Sequence, residues 1–196
     1  MWHNIVLGRE FFAASVGIDA EIAEQVREAG CPRCGGPLHA GHYARKPRGG
    51  RFAEAGETFT RRFSWCCGRE GCRRRTMPPS VRFLGRKVYL EGTIVIACVL
   101  VPLLEQSASA ARQATGIASR TLRRWHGWWQ SVFVASAQFT ELRARVPAVD
   151  VTALPGALVA SFDGTTPLTR LEQTMRFLAP LTTRRVRTAI TEITGR

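Results

Sequence analysis

The sequence predicts an α+β chain, with a small cysteine-bearing β domain followed by a mostly helical region. Three observations carry this prediction. Two cysteine pairs, Cys31/Cys34 and Cys67/Cys72, bracket a stretch where apolar and polar residues alternate. From about residue 86 the apolar spacing lengthens to three or four residues, the helical repeat. Gly- and Pro-bearing breaks at Gly30, Pro47 to Gly56, Pro78-Pro79, Gly116 and Pro147 separate the pieces. The expected divisions are a helical lead-in over 1–30, the cysteine domain over 31–85, a helical unit over 86–147 and a helical C-terminal segment over 148–196.

In chain order, residues 18 to 29 read as a short helix, with Asp19 as N-cap, Ile22 and Val26 on one face and Gly30 as the stop. Leu38 to Lys46 and Thr58 to Trp65 read as strands; in the second, Phe59, Phe63 and Trp65 alternate with Thr60, Arg62 and Ser64. Helices are expected over 86–105 and 107–115, then over 119–145, where Leu122, Trp125, Trp129, Val132, Ser136 and Phe139 recur on one face. Two short helices, 154–162 and 167–179, follow, the second opened by Thr166 as cap and Pro167 in the first turn.

The cysteines carry the most specific signal. Two thiolates separated by two residues grip one metal ion from a single turn, and Cys31-Pro32-Arg33-Cys34 has that spacing. Gly35 lets the chain fold back so that backbone amides point at sulfur. Cys67 and Cys72 supply a wider second turn, with Cys66 as an alternate ligand there and His39 and His42 as possible replacements. A hairpin between the turns would assemble a zinc ribbon holding Zn2+ through four protein ligands, with no open position for metal catalysis. Cys98, inside an apolar run, is expected in a core.

Ala108 to Trp125 has the spacing of a helix-turn-helix. Gly116 takes the left-handed turn, Ile117 and Leu122 plug the core, and Ser119, Arg120, Arg123 and Arg124 face outward, where arginine can meet guanine edges or phosphate. One departure from the usual pattern is Arg112, where Ala or Gly normally stands. Trp125 and Trp129 are expected in the core and Trp128 at a contact surface.

Charge points the same way. Twenty-eight basic residues against fifteen acidic ones leave a net charge of +13, which suits a polyanionic partner. Thirteen of the basic residues fall between 43 and 87, against three glutamates. Arg45, Lys46 and Arg48 form a basic arm and Arg73, Arg74 and Arg75 follow the last cysteine, placed for phosphate contacts to double-stranded DNA. The longest apolar run, 94–104, holds eleven residues, too few to span a bilayer. A cytoplasmic protein with no membrane association is expected.

A cysteine ribbon running into arginines (Cys31, Cys34, Cys67, Cys72), followed by Ala111 to Trp125, resembles bacterial insertion-sequence proteins: transposase-associated or transposase N-terminal DNA-binding modules. The likeness covers about 31–130. It implies a nucleoid-associated, non-enzymatic role at mobile-element ends or promoters, with a transposase or a second copy of the chain as protein partner. The long insert between the cysteine pairs and the wide second turn depart from that pattern. An RNA- or protein-binding zinc-ribbon adaptor is the alternative. No alternating strand–helix tract surrounds Asp19, Asp150 or Asp163, so no catalytic residues are assigned, and a nuclease built on Asp150, Asp163 and Glu172 is the weakest reading.

Overall fold

In the computed structural model, residues 9–45, 56–83, 117–146 and 148–182 are described, and they form a mixed α+β structure with six α-helices and short antiparallel strands. Lys46 and Arg48, the helices expected over 86–105 and 107–115, Ala111, Arg112, Gly116 and Cys98 lie outside the described residues.

Helix α1, Arg9–Glu28, is 20 residues long, well beyond the expected span of 18–29, and begins well before Asp19. Phe11, Phe12, Ser15, Ile18, Asp19 and Ala23 are its buried stripe, so Asp19 is an interior residue and not a cap. Glu10 in the first turn and Arg27 in the last complement the helix dipole. Gly30, at φ +74°, ends the helix; an added Cβ there would also crowd the Gly35 carbonyl at 3.1 Å.

The strands are shorter than expected. β1 (Leu38–Ala40), β4 (Trp65–Cys67) and β5 (Arg75–Thr76) form one antiparallel sheet in the order β1-β4-β5, and β2 (Tyr43–Ala44) pairs with β3 (Arg61–Arg62). Leu38 lies opposite Cys67 and Trp65 opposite Thr76. Thr58 to Thr60, expected as strand, belongs instead to helix α2, Gly56–Thr60. The turn is favoured because it drives Phe59 into the core against Phe12, with ring centroids 4.8 Å apart. The alternation also fails at Arg62 and Ser64, expected outside but 1% and 0% exposed.

Helix α3, Ser119–Trp128, passes into a π-helical turn, Trp129–Phe133, and the chain then breaks before α4, Ala137–Arg145. The single helix expected over 119–145 is interrupted because Ser136 turns extended and its hydroxyl caps the Phe139 N–H at 3.2 Å. After a 3-10 turn at Val151–Ala153 come α5, Gly156–Ala160, and α6, Pro167–Leu178, which Thr166 caps as expected.

Two apolar clusters result. Leu122, Trp125, Trp129, Phe133, Leu171 and Met175 belong to the larger, joined by Phe11, Phe12 and Ile18 from the first half of α1. Ala23, from the second half, joins Leu38, Trp65, Cys31 and Cys67 in the smaller. The Trp65 indole donates to the Ala23 carbonyl at 2.9 Å, so α1 ties the cysteine domain to the helical core. No described helix is long and apolar enough to cross a membrane.

Candidate metal centre

Each cysteine pair sits on a turn shaped by glycine and backbone hydrogen bonds. In the first, the Cys31 N–H donates to the Gly36 carbonyl at 2.9 Å, while the Cys31 carbonyl accepts from Cys34 at 3.2 Å and Gly35 at 2.8 Å. Gly35, at φ +67°, makes the reversal. In the second, Cys67 donates to the Arg74 carbonyl at 2.9 Å, and the Arg69 carbonyl accepts from Cys72 at 3.2 Å. Here Gly71 and Arg73 adopt positive φ, +80° and +42°, which lets four intervening residues make a knuckle that two suffice for elsewhere.

Antiparallel pairing of β1 with β4 brings the turns together. The four Sγ atoms of Cys31, Cys34, Cys67 and Cys72 lie within 4.8 Å of one another, with Cys31 to Cys72 at 3.8 Å and Cys34 to Cys67 at 3.5 Å. Four thiolates at about 2.3 Å from a tetrahedral metal would be about 3.8 Å apart. The arrangement therefore fits a metal ion. Close backbone approach adds to the fit, since a Cβ on Gly36 would stand 3.3 Å from Cys67 Sγ and 3.4 Å from Cys34 Sγ.

Before any metal binds, two of the thiols, Cys31 and Cys67, are pushed in opposite directions. The amide of Arg33, aided by that of Cys34 and by the neighbouring thiols, lowers Cys31 to about 6 against the effect of burial. The Arg69 amide acts on Cys67 in the same sense, but burial and hydrogen bonds shared with the thiols of Cys34, Cys72 and Cys31 prevail and push it up to about 12. A cation must therefore displace the Cys67 proton to complete a four-thiolate set.

Cys67, not Cys66, belongs to this centre. Neighbours on a strand point to opposite faces, and Cys66 instead packs over Gly41, where an added Cβ would be 2.9 Å from its sulfur. Neither histidine joins. His39 lies over Gly68, and His42 sits between Phe63 and Trp65 with its Nδ1 bonded by the Ser64 N–H at 3.1 Å. Among the described residues no second group of metal-ligating side chains assembles: Asp150 caps the Thr152 N–H at 2.8 Å, and Asp163 is exposed.

The arginines expected to touch DNA divide into two sets. On α3, Arg120, Arg123 and Arg124 are exposed and Ser119 half-buried, opposite the buried Leu122 and Trp125. None of the ion pairs among the described residues engages them. On the cysteine domain Arg73 and Arg74 are exposed, while Arg75 donates to the Gly41 carbonyl at 2.8 Å and covers the Tyr43 ring. Arg45 is half-buried, its guanidinium 5.7 Å from the Phe83 ring centre. Trp128, expected at a contact surface, instead packs edge-on against Trp129 at 4.9 Å and joins the core.

One site escaped the sequence reading altogether. Asp19 is 0% and Arg82 1% exposed, and Arg82 Nε donates to Asp19 Oδ2 at 2.8 Å. The carboxylate also accepts from Ser80 Oγ at 2.5 Å and the Val81 N–H at 2.6 Å, while Arg82 reaches the carbonyls of Phe59 and Arg61 at 2.6 and 3.0 Å. This clamp fastens the segment after β5 to the middle of α1. Compared with family models, curated proteins and solved structures, the chain matches none.

Proposed function

We propose that the chain is a non-enzymatic, zinc-stabilised protein that binds double-stranded DNA, acting at mobile-element ends or as a transcriptional regulator. The observation that carries this reading is α3: three exposed arginines on one face, backed by Leu122 and Trp125 in the core. An apolar-backed helix whose guanidinium face takes part in no ion pair among the described residues suits major-groove reading. The cysteine domain adds Arg73 and Arg74 as phosphate contacts. Zinc is the proposed ion because four thiolates in a closed tetrahedron suit a redox-inert d10 cation in a structural role.

The test separates reading from gripping. Arg120→Ala, Arg123→Ala or Arg124→Ala is expected to cost about 1–3 kcal/mol on a selected site and much less on scrambled duplex. Arg73→Ala or Arg74→Ala is expected to weaken both duplexes equally and to flatten the dependence of log K on log salt by about one unit. Equal losses on both DNAs from helix and ribbon variants would remove α3 as the reader. Unchanged DNA affinity with reduced RNA binding would favour an RNA-binding adaptor.

A further inference from the structure

One residue of the second knuckle bridges the two turns of the cysteine centre. The Arg69 backbone amide acts on the Cys67 thiol, lowering its pKa against burial, and the Arg69 carbonyl accepts from the N–H groups of Cys72 at 3.2 Å and Arg73 at 3.3 Å. Its side chain then crosses to the other knuckle. Arg69 Cβ approaches Gly36 so closely that an added Cβ there would lie 3.2 Å away, and Nη1 donates to the Cys34 carbonyl at 3.1 Å. Arg33, Arg73 and Arg74 are exposed too, but among the described residues their side chains make no such bond.

We propose that Arg69 is a positioning residue for the metal centre, a strap that holds the Cys34 turn against the Cys67 turn and slows escape of the bound ion. The inference rests on reading the four cysteines as a metal site. Four thiolates around a divalent cation carry a net charge of about −2, so a guanidinium at their edge stabilises the filled state. Metal loss begins when one thiolate lets go and its turn swings out. Cys34 is the ligand whose carbonyl the strap pins, so this swing is what Arg69 resists. Outer partners of metal ligands typically change affinity by about 10–100-fold. Because this bond is exposed, the lower end is expected.

The experiment loads the full chain with Co2+, whose thiolate charge-transfer absorption reports sulfur ligation, and follows its loss to excess chelator. Arg69→Ala is expected to release cobalt about 10-fold faster while keeping the charge-transfer band, and Arg69→Lys to recover part of the difference. Arg74→Ala, which removes the same charge from the same surface, is expected to stay within about twofold of wild type, since it lacks the cross-knuckle bond. Equal acceleration in Arg69→Ala and Arg74→Ala would reduce the effect to general charge and overturn the strap. Wild-type release rates in Arg69→Ala and Arg69→Lys would overturn it as well. A wild-type chain with no thiolate–cobalt band would instead overturn the metal site itself, whatever the variants do.

Discussion

Cys31→Ser is expected to abolish stoichiometric metal binding and to unfold the cysteine domain while the helical core persists. The apolar cluster under the knuckles is small, essentially Ala23, Leu38 and Trp65 with two of the cysteines, and its strands are two or three residues long. Such a sheet is marginal alone, whereas structural zinc contributes an apparent 10–16 kcal/mol, roughly, in small metal domains at neutral pH. Chelation of the wild type is expected to act likewise, and Cys67→Ser to match Cys31→Ser. Cys66→Ser should retain metal, because that sulfur packs over Gly41; Cys98→Ser should retain it on the sequence reading. Metal analysis paired with amide hydrogen exchange checks this: exchange should accelerate over residues 31–76 and stay slow around Leu122, Trp129 and Leu171. A metal-free chain with undiminished protection over 31–76 would contradict the account.

The second large effect is expected at Asp19. Removing one partner of a fully buried ion pair strands the other charge and typically costs about 3–5 kcal/mol. Asp19→Ala should reach that range, since it leaves the Arg82 guanidinium, the Val81 N–H and the Ser80 hydroxyl without their shared acceptor. Arg82→Met should be comparably destabilising, because the carbonyls of Thr58, Phe59 and Arg61 lose a donor and the carboxylate stays buried. Replacing both by apolar residues is expected to recover much of the loss, as buried pairs exchanged together for hydrophobic residues often are neutral. Urea unfolding of the single and double variants measures the coupling. Strict additivity, with the double variant losing the sum of the singles, would show that the two groups do not act as a pair.

What the residues reveal in one dimension, and what they hide, follows from how local each feature is. The four-cysteine centre was legible because ligand spacing is a local property of each turn, and only the choice between Cys66 and Cys67 waited on strand parity. The Thr166-Pro167 cap and the buried Trp125 and Trp129 were legible for the same reason. Asp19 meets Arg82 sixty-three residues later, so no local pattern announces the pair, and an aspartate before an apolar stripe reads as a cap. The alternation over 58–65 misled because polar positions there are covered too: Arg62 and Ser64 are buried, and Arg62 Nη2 donates to the Pro78 carbonyl at 2.5 Å, where a polar-out rule assigns both to solvent. At residue 136 the apolar stripe continues through a backbone break, because periodicity records which side chains face the core and not whether the helix between them is unbroken.

The most direct test of the whole reading is the affinity of the zinc-loaded wild type for double-stranded DNA across a salt series, with single-stranded DNA and RNA alongside. Exposed arginines on two surfaces, α3 and the cysteine domain, are expected to make log K fall linearly with log salt at a slope of roughly −4 or steeper, about −0.9 per phosphate neutralised. Duplex DNA should be bound more tightly than either other nucleic acid, and chelation should weaken the complex as the cysteine domain unfolds. A chain that holds its metal yet binds duplex no better than RNA, or binds it with no dependence on salt, would contradict the account.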